Sequence, residues 1–391
     1  MKKQLTVALG LAVLATPAFA TKARLQSLGE DAYGSYYIND NRNIWLNPAQ
    51  ITNHKDLVTF EWGTASGANN ALPAELDGAT APRAEGGVTK AYGNMVYGIH
   101  LGGASQTANA LRIGSGVAVA EENNIDLFVG GDAGLKWGAN LGYSSSADDE
   151  TAGAEDETQE SMRTRLGVIM GDTQAFANIS IANSAEDSAG NEFDGDLGYQ
   201  VGVIHAWEGN SVFADYRSFD AEVDPAAGSK GDVSLSQILV GIGRVERLND
   251  TSNLFARVQY QMVDVDNEAA AGTLSAAGLC AGGVATACEE YKTSRVPVVL
   301  GLETEATSWL TLRASVSQTI WGSEEDKDNE RPVRASTVVN AGATLKFGEL
   351  SVDGVIGNGT GDATPGEDTS NGNGTLRTDE LMTRVGMVYR F

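Results

Sequence analysis

The last eleven residues, Leu381-Met382-Thr383-Arg384-Val385-Gly386-Met387-Val388-Tyr389-Arg390-Phe391, alternate along their whole length. Leu381, Thr383, Val385, Met387, Tyr389 and Phe391 fall on one face of a strand, with Arg384, Gly386 and Arg390 on the other. A soluble protein gains little from ending on an apolar strand with aromatics at the last and third-last positions. Lipid accepts such a face, provided the strand closes a sheet so that every backbone group is paired. The segment therefore predicts the closing strand of a membrane-spanning β-barrel.

The other terminus predicts export. Met1-Lys2-Lys3 is a short basic region, Leu5 to Leu14 an apolar one, and Ala18-Phe19-Ala20 a small-x-small cleavage site. The apolar stretch is too short to span a bilayer as a helix, so residues 1–20 read as a signal peptide removed before Thr21. No later run of about eighteen apolar residues exists. Whatever crosses a membrane here must be β. Composition agrees: with 47 Gly, 8 Pro and a mean hydropathy of −0.19, the apolar content is carried by alternation rather than by runs. A formal net charge of −25 argues against a nucleic-acid partner.

Period-two alternation places about sixteen strands near 57–63, 84–92, 95–103, 123–131, 135–144, 161–170, 174–183, 197–207, 211–218, 233–244, 253–263, 294–304, 309–320, 336–347, 350–357 and 378–391. Merging 84–92 or 350–357 would leave fourteen. In 253–263, Leu254, Ala256, Val258, Tyr260 and Met262 oppose Phe255, Arg257, Gln259 and Gln261. Short turns such as Gly93-Asn94 and Gly348-Glu349 alternate with long polar loops such as 65–83, 104–122, 145–160 and 264–293. That asymmetry predicts an up-and-down antiparallel barrel with periplasmic turns and extracellular loops. Aromatics gather in two belts, Trp62, Tyr143, Tyr199, Tyr216 and Tyr260 toward the loops, and Tyr97, Trp137, Trp207, Phe347, Tyr389 and Phe391 toward the turns.

With Tyr389 and Phe391 at its end, the closing segment resembles the signature by which Gram-negative outer-membrane β-barrels are recognised for assembly. The resemblance implies a place in the outer membrane, with lipid, lipopolysaccharide and the barrel-assembly machinery as partners. Asn43-Ile44-Trp45-Leu46-Asn47-Pro48-Ala49 is similar to the Asn-Pro-Ala motif of fatty-acid-transporter-type barrels, where the preceding residues plug the periplasmic mouth. Gln50-Ile51 stands where that family has Gly-Leu. The domains read as 1–20 signal peptide, 21–56 periplasmic or plug segment, and 57–391 barrel.

If the apolar faces look at lipid, Lys136, Arg163, Arg165, Arg217, Arg257, Arg295, Arg313, Lys346, Arg384 and Arg390 look at the lumen, with fewer acids: Glu61, Asp126, Asp215, Glu303 and Asp353. Such charges need water or partners, and a sixteen-stranded lumen is too wide for side chains to fill. The expectation is a wet pore, in which Gln259→Arg and Asn140→Arg would be accommodated. Acids concentrate instead in the loops, as at Asp148, Asp149, Glu150, Glu155, Asp156 and Glu157. In sixteen-stranded general porins the third long loop folds inward and sets its acids against arginines; here that loop is 145–160, without the usual Pro-Glu-Phe-Gly-Gly. A solvated exterior loop is the alternative. Cys280 and Cys288, in the longest loop, read as a disulfide.

Catalysis has little to stand on. His54, His100 and His205 are scattered along the chain, and no nucleophile–base motif accompanies them. No metal site or cofactor is expected. The sequence thus reads as an outer-membrane porin passing small hydrophilic solutes, with trimer formation left open. The alternatives are a plugged transporter of hydrophobic compounds, for which the inward positions read as too polar, and a structural or adhesive surface barrel.

Overall fold

The computed structural model of the protein describes residues 21–64, 84–103, 123–148, 156–227, 229–268, 290–326, 329–332, 337–358 and 381–391, together with 111, 112, 117, 119 and 121. Its strands are β1 (Leu57–Thr64), β2 (Glu85–Tyr92), β3 (Met95–Leu101), β4 (Ile125–Asp132), β5 (Lys136–Asp148), β6 (Glu157–Met170), β7 (Thr173–Glu186), β8 (Glu192–Gly195) and β9 (Gly198–Trp207). They continue with β10 (Asn210–Asp224), β11 (Gly231–Arg247), β12 (Ser252–Asn267), β13 (Glu290–Thr307), β14 (Leu310–Asp326), β15 (Asn329–Pro332), β16 (Thr337–Phe347), β17 (Leu350–Asn358) and β18 (Leu381–Arg390).

All neighbours are antiparallel, and β1 pairs with both β2 and β18, so the sheet closes on itself. The wall has sixteen staves. β8 and β9 both lie between β7 and β10 as one interrupted stave, and β15 joins the loop end of β14, which lower down pairs with β16.

The alternation read from the sequence sorts the faces. Phe60, Ile99, Leu127, Leu141, Val201, Val258, Leu300 and Ile356 are exposed outward, whereas Glu61, Asp126, Asn140, Arg165, Asp215, Gln259 and Asp353 are buried inward. A closed sheet, apolar outside and polar inside, is the form in which β-structure sits in lipid with no backbone group unpaired. Turns on one end are tight: Gly93, Gly171 and Gly348 take φ of 60, 57 and 63°, which glycine adopts without strain.

At the seam, Leu57 pairs with Arg390, and Phe391 N donates to Asp56 O at 3.2 Å. Lys90 Nζ lies 4.5 Å from the Phe391 ring centroid. Deleting Phe391 removes the last contact of the closing strand, and the expected result is a lower yield of folded barrel. Gel migration before and after heating measures it; a normal amount of heat-modifiable protein would count against an assembly role for this residue.

Eight strands run past the predicted ends, β5 to β7 by three or four residues and β10 to β14 to lengths of 15 to 18 residues. The stretches 219–224, 264–267 and 290–293, read as loop from sequence, are strand. Their polarity is inverted: Asp220, Glu222 and Asp224 alternate with buried Phe219, Ala221 and Val223, and Asp264 and Asp266 with buried Val263 and Val265. Above the hydrocarbon the outer face meets water, so the period is kept while the faces exchange character. A search for apolar-outward strands stops where that exchange begins.

Residues 21–54 lie inside the barrel. They form helix α1 (Lys22–Ser27) and two 3₁₀ turns, Asn41–Trp45 and Pro48–Thr52. Side chains cap all three: Thr21 accepts from Arg24 N, Asp40 from Arg42 N and Asn47 from Ala49 N, with Pro48 in the first position of its turn. The helix is buried on every side, because wall surrounds it.

Candidate functional site: the barrel interior

Wall glycines make room for the inner segment. Gly130, Gly138 and Gly167 are directly paired on β4, β5 and β6, a glycine row across three strands. A Cβ on Gly138 would overlap Pro48 O, and one on Gly167 would overlap Asn47 Oδ1. The Asn-Pro-Ala turn thus rests directly on backbone. Asn47 Nδ2 also donates to Gln174 Oε1 at 3.3 Å, and Gln50 Nε2 donates to the same oxygen at 2.8 Å. Between this segment and β1 to β3 remains a cavity of about 10 Å³, bordered by Trp45, His54 and His100, room for roughly one water.

Charges of the segment meet charges of the wall. Arg24 reaches Asp40 at 2.9 Å and Glu303 on β13 at 2.9 Å. Arg42 bridges Glu61 on β1, at 3.5 Å, and Glu85 on β2; Lys22 Nζ also meets Glu85, at 2.8 Å. Glu30 pairs with Arg257 at 3.3 Å. Buried pairs of this kind offset a desolvation cost of several kcal/mol per ion only while both members stay in place. Burial pushes the Asp40 carboxyl up to about 6 although Arg24 pulls it down. Burial, with Arg390, Arg24 and Lys136 adding repulsion, holds His54 down to about 4. Burial pulls the Arg24 guanidinium down, and Glu303 and Asp40 more than restore it.

The residues read as pore-lining face inward, and most are engaged. Arg163 and Arg165 converge on Asp126, at 2.8 and 3.2 Å. Arg217 pairs with Asp215 at 3.0 Å, Arg313 with Glu303 and Asp353, Arg295 with Gln261 at 3.1 Å, and Arg384 with Gln26 at 2.9 Å. Lys136 and Lys346 stand at the turn-end rim, on Asn53 and Glu305 respectively. An unbroken ladder row, Asn140–Arg165–Asn178–Gln200–Arg217–Gln237, crosses β5, β6, β7, β9, β10 and β11. This polar row lies just above the contact of Tyr36 with Phe213, whose rings stack at 4.7 Å.

Toward the loops the interior turns apolar. Phe193, Phe219, Val223, Val233, Leu235, Val263, Val265 and Tyr291 form one buried cluster with Leu111, Val117 and Val119, which lie between β3 and β4. Arg112 Nη1 donates to Asn183 Oδ1 at 3.1 Å, and Glu121 faces Arg163 at 3.7 Å. Thus the described part of the second long loop enters the barrel. For the third, Asp148 ends β5 and pairs with Glu157 of β6, so its edges continue the wall; Asp156 is exposed. Asp149, Glu150 and Glu155 lie outside the described residues, as do Cys280 and Cys288.

The sequence reading missed the inner members of these pairs (Lys22, Arg24, Glu30, Asp40, Arg42), their wall partner Glu85, and the apolar cluster. One signal was present for the former: inward-facing glycines on adjacent strands mark a wall that another backbone approaches. His54 and His100 are buried apart from His205, which sits on the outer face against Trp207.

No protein-family model matches the chain, and no curated protein sequence is significantly similar to it. Among solved structures it is similar to the CymD monoaromatic hydrocarbon channel, at 11% identity over 96% of this chain and 98% of that one, with a TM-score of 0.42. It is similar also to the Pseudomonas putida toluene transporter TodX (11% identity, 96% and 99% covered, TM-score 0.39) and to a porin (12%, 86% and 99%, 0.37).

Proposed function

We propose that the protein is an outer-membrane channel, closed at rest by residues 21–54, that takes up small hydrophobic compounds through an apolar vestibule at its extracellular end. One observation carries this reading: the inward faces of β8 and β10 to β13 become apolar toward the loops, where the outward faces of β8, β10 and β12 become acidic. A water-filled pore for ions gains nothing from inward Phe219, Val233 and Val265. Apolar solutes leaving water gain roughly 25 cal/mol per Å² buried there. The inner segment supports the same reading, since the lumen charges that would set ion preference are spent on its own groups or on each other.

The second reading, passive diffusion of hydrophilic solutes, draws on the polar row from Asn140 to Gln237. Planar-bilayer recording and ligand binding separate the two. The proposed channel gives rare, small conductance steps and binds a monoaromatic hydrocarbon in detergent, followed by calorimetry. Phe219→Asp is expected to weaken that binding about tenfold or more, the equivalent of losing one buried aromatic contact. Steady large ionic steps, with no hydrocarbon binding, would establish the porin instead.

A further inference from the structure

Glu61, Gly386, Asp353 and Thr344 form one ladder row across β1, β18, β17 and β16. Strands lie about 4.8 Å apart, so two carboxylates face each other across the glycine at roughly 10 Å between their backbones. Both are almost completely buried, Glu61 at 3% and Asp353 at 0% exposure. Thr21 fills the gap. A Cβ on Gly386 would overlap the Thr21 Cβ; Thr21 Oγ1 donates to Asp353 Oδ2 at 3.1 Å, and Lys22 N donates to Glu61 Oε2 at 2.7 Å. The remaining partners are Arg313 and Thr344 on Asp353, and Arg42 on Glu61.

Thr21 is also the residue after the small-x-small site Ala18-Phe19-Ala20. From these two facts we propose that the Glu61–Gly386–Asp353 row is a receptor for the α-ammonium of Thr21, created when a signal peptidase cuts the chain after Ala20. Hydrolysis of the Ala20–Thr21 amide consumes one water, leaves the carboxylate on Ala20 and gives the amine to Thr21. That amine, with an ordinary pKa of about 7.7–8.0, takes a proton and is charged at neutral pH. It emerges one residue's backbone, about 3.6 Å, from Lys22 N and therefore beside Glu61. Capture of an N-terminal amine is a known mode of peptide recognition.

Processing and closure are thereby coupled. Before the cut, the position carries a neutral amide that continues into twenty further residues; after it, a cation held between two carboxylates. Glycine at 386 is what lets the terminus approach. The inference does not depend on which solute the barrel carries.

Three measurements on the full, folded barrel test it. The intact mass of purified protein should correspond to a chain beginning at Thr21. An amine-reactive acylating reagent at neutral pH should modify the Thr21 amine only after heat unfolding. A variant with Gly-Ser inserted between Ala20 and Thr21, keeping the cleavage site, moves the ammonium two residues from the receptor. Its new amine should react in the native state. Trypsin should then cut after Lys22 and Arg24 at least about tenfold faster than in wild type, since lost docking raises the open population. Glu61→Gln combined with Asp353→Asn should behave likewise. Should that pair fail to fold, as judged by heat-modifiable migration, the insertion variant still decides, because it leaves the wall intact. A mature terminus other than Thr21, a native wild-type amine reacting at the unfolded rate, or an insertion variant as protected as wild type would overturn the proposal.

Discussion

Removing residues 21–54 while keeping residues 1–20 is expected to give a barrel that conducts in steady, large steps where the intact protein gives rare, small ones. A sixteen-stave lumen is too wide for its own side chains to fill, so the vacated space takes up water. Glu61, Glu85, Glu303, Arg257 and Arg384, which contact the segment at present, are then solvated rather than left buried and unpaired. For that reason deletion harms folding less than a point change would: Arg42→Ala takes away the guanidinium that buried Glu61 and Glu85 share, leaving them to Lys22, and breaking one buried pair costs about 3–5 kcal/mol. Bilayer recording of the truncated protein, with migration before and after heating as the folding control, checks both statements. If the truncated barrel folds and stays silent, the apolar cluster around Leu111, Val117 and Val119 closes the lumen unaided.

The second large effect is on the outer wall. Val258, on the exposed face of β12, and Leu141, on that of β5, stand mid-strand among other apolar side chains. Replacing either with Arg is expected to cost about 2–4 kcal/mol, the range for a cation at the bilayer midplane of a barrel. Ser234→Arg is the contrasting variant: it lies outward on β11, directly between Asp220 on β10 and Asp266 on β12. There the new charge meets water and two carboxylates, and stability should change little. Urea unfolding in detergent or lipid vesicles measures all three. Equal losses at 258 and 234 would place the boundary of the hydrocarbon wrongly.

Inward substitutions follow a different rule from the one expected for a wet pore. Asn140 Nδ2 donates to Asp126 Oδ1 at 3.2 Å and its Oδ1 accepts from Arg165. An arginine in its place would set a third guanidinium against one carboxylate that already serves two. Gln259 is buried as well, at 7% exposure. Neither site offers the water that an added charge needs.

How much of this was legible beforehand follows from what one chain segment can encode alone. Alternation in 381–391, repeated along the chain, determined the strands, the outward face and the closure, because lipid demands a period-two apolar face and full backbone pairing wherever a strand crosses it. Val258 and Gln259 could be assigned to opposite faces without any partner in view. The interior was decided elsewhere. Arg24 and Glu303 are separated by 279 residues and Thr21 and Asp353 by 332; a charge's neighbour across the lumen leaves no local mark on sequence. Residues 219–224 kept their period and exchanged their faces, so only their height above the membrane reveals which side is dry. Whether an inward arginine faces water or a carboxylate is thus a property of the closed barrel and its filling, set by contacts between segments that the sequence holds far apart.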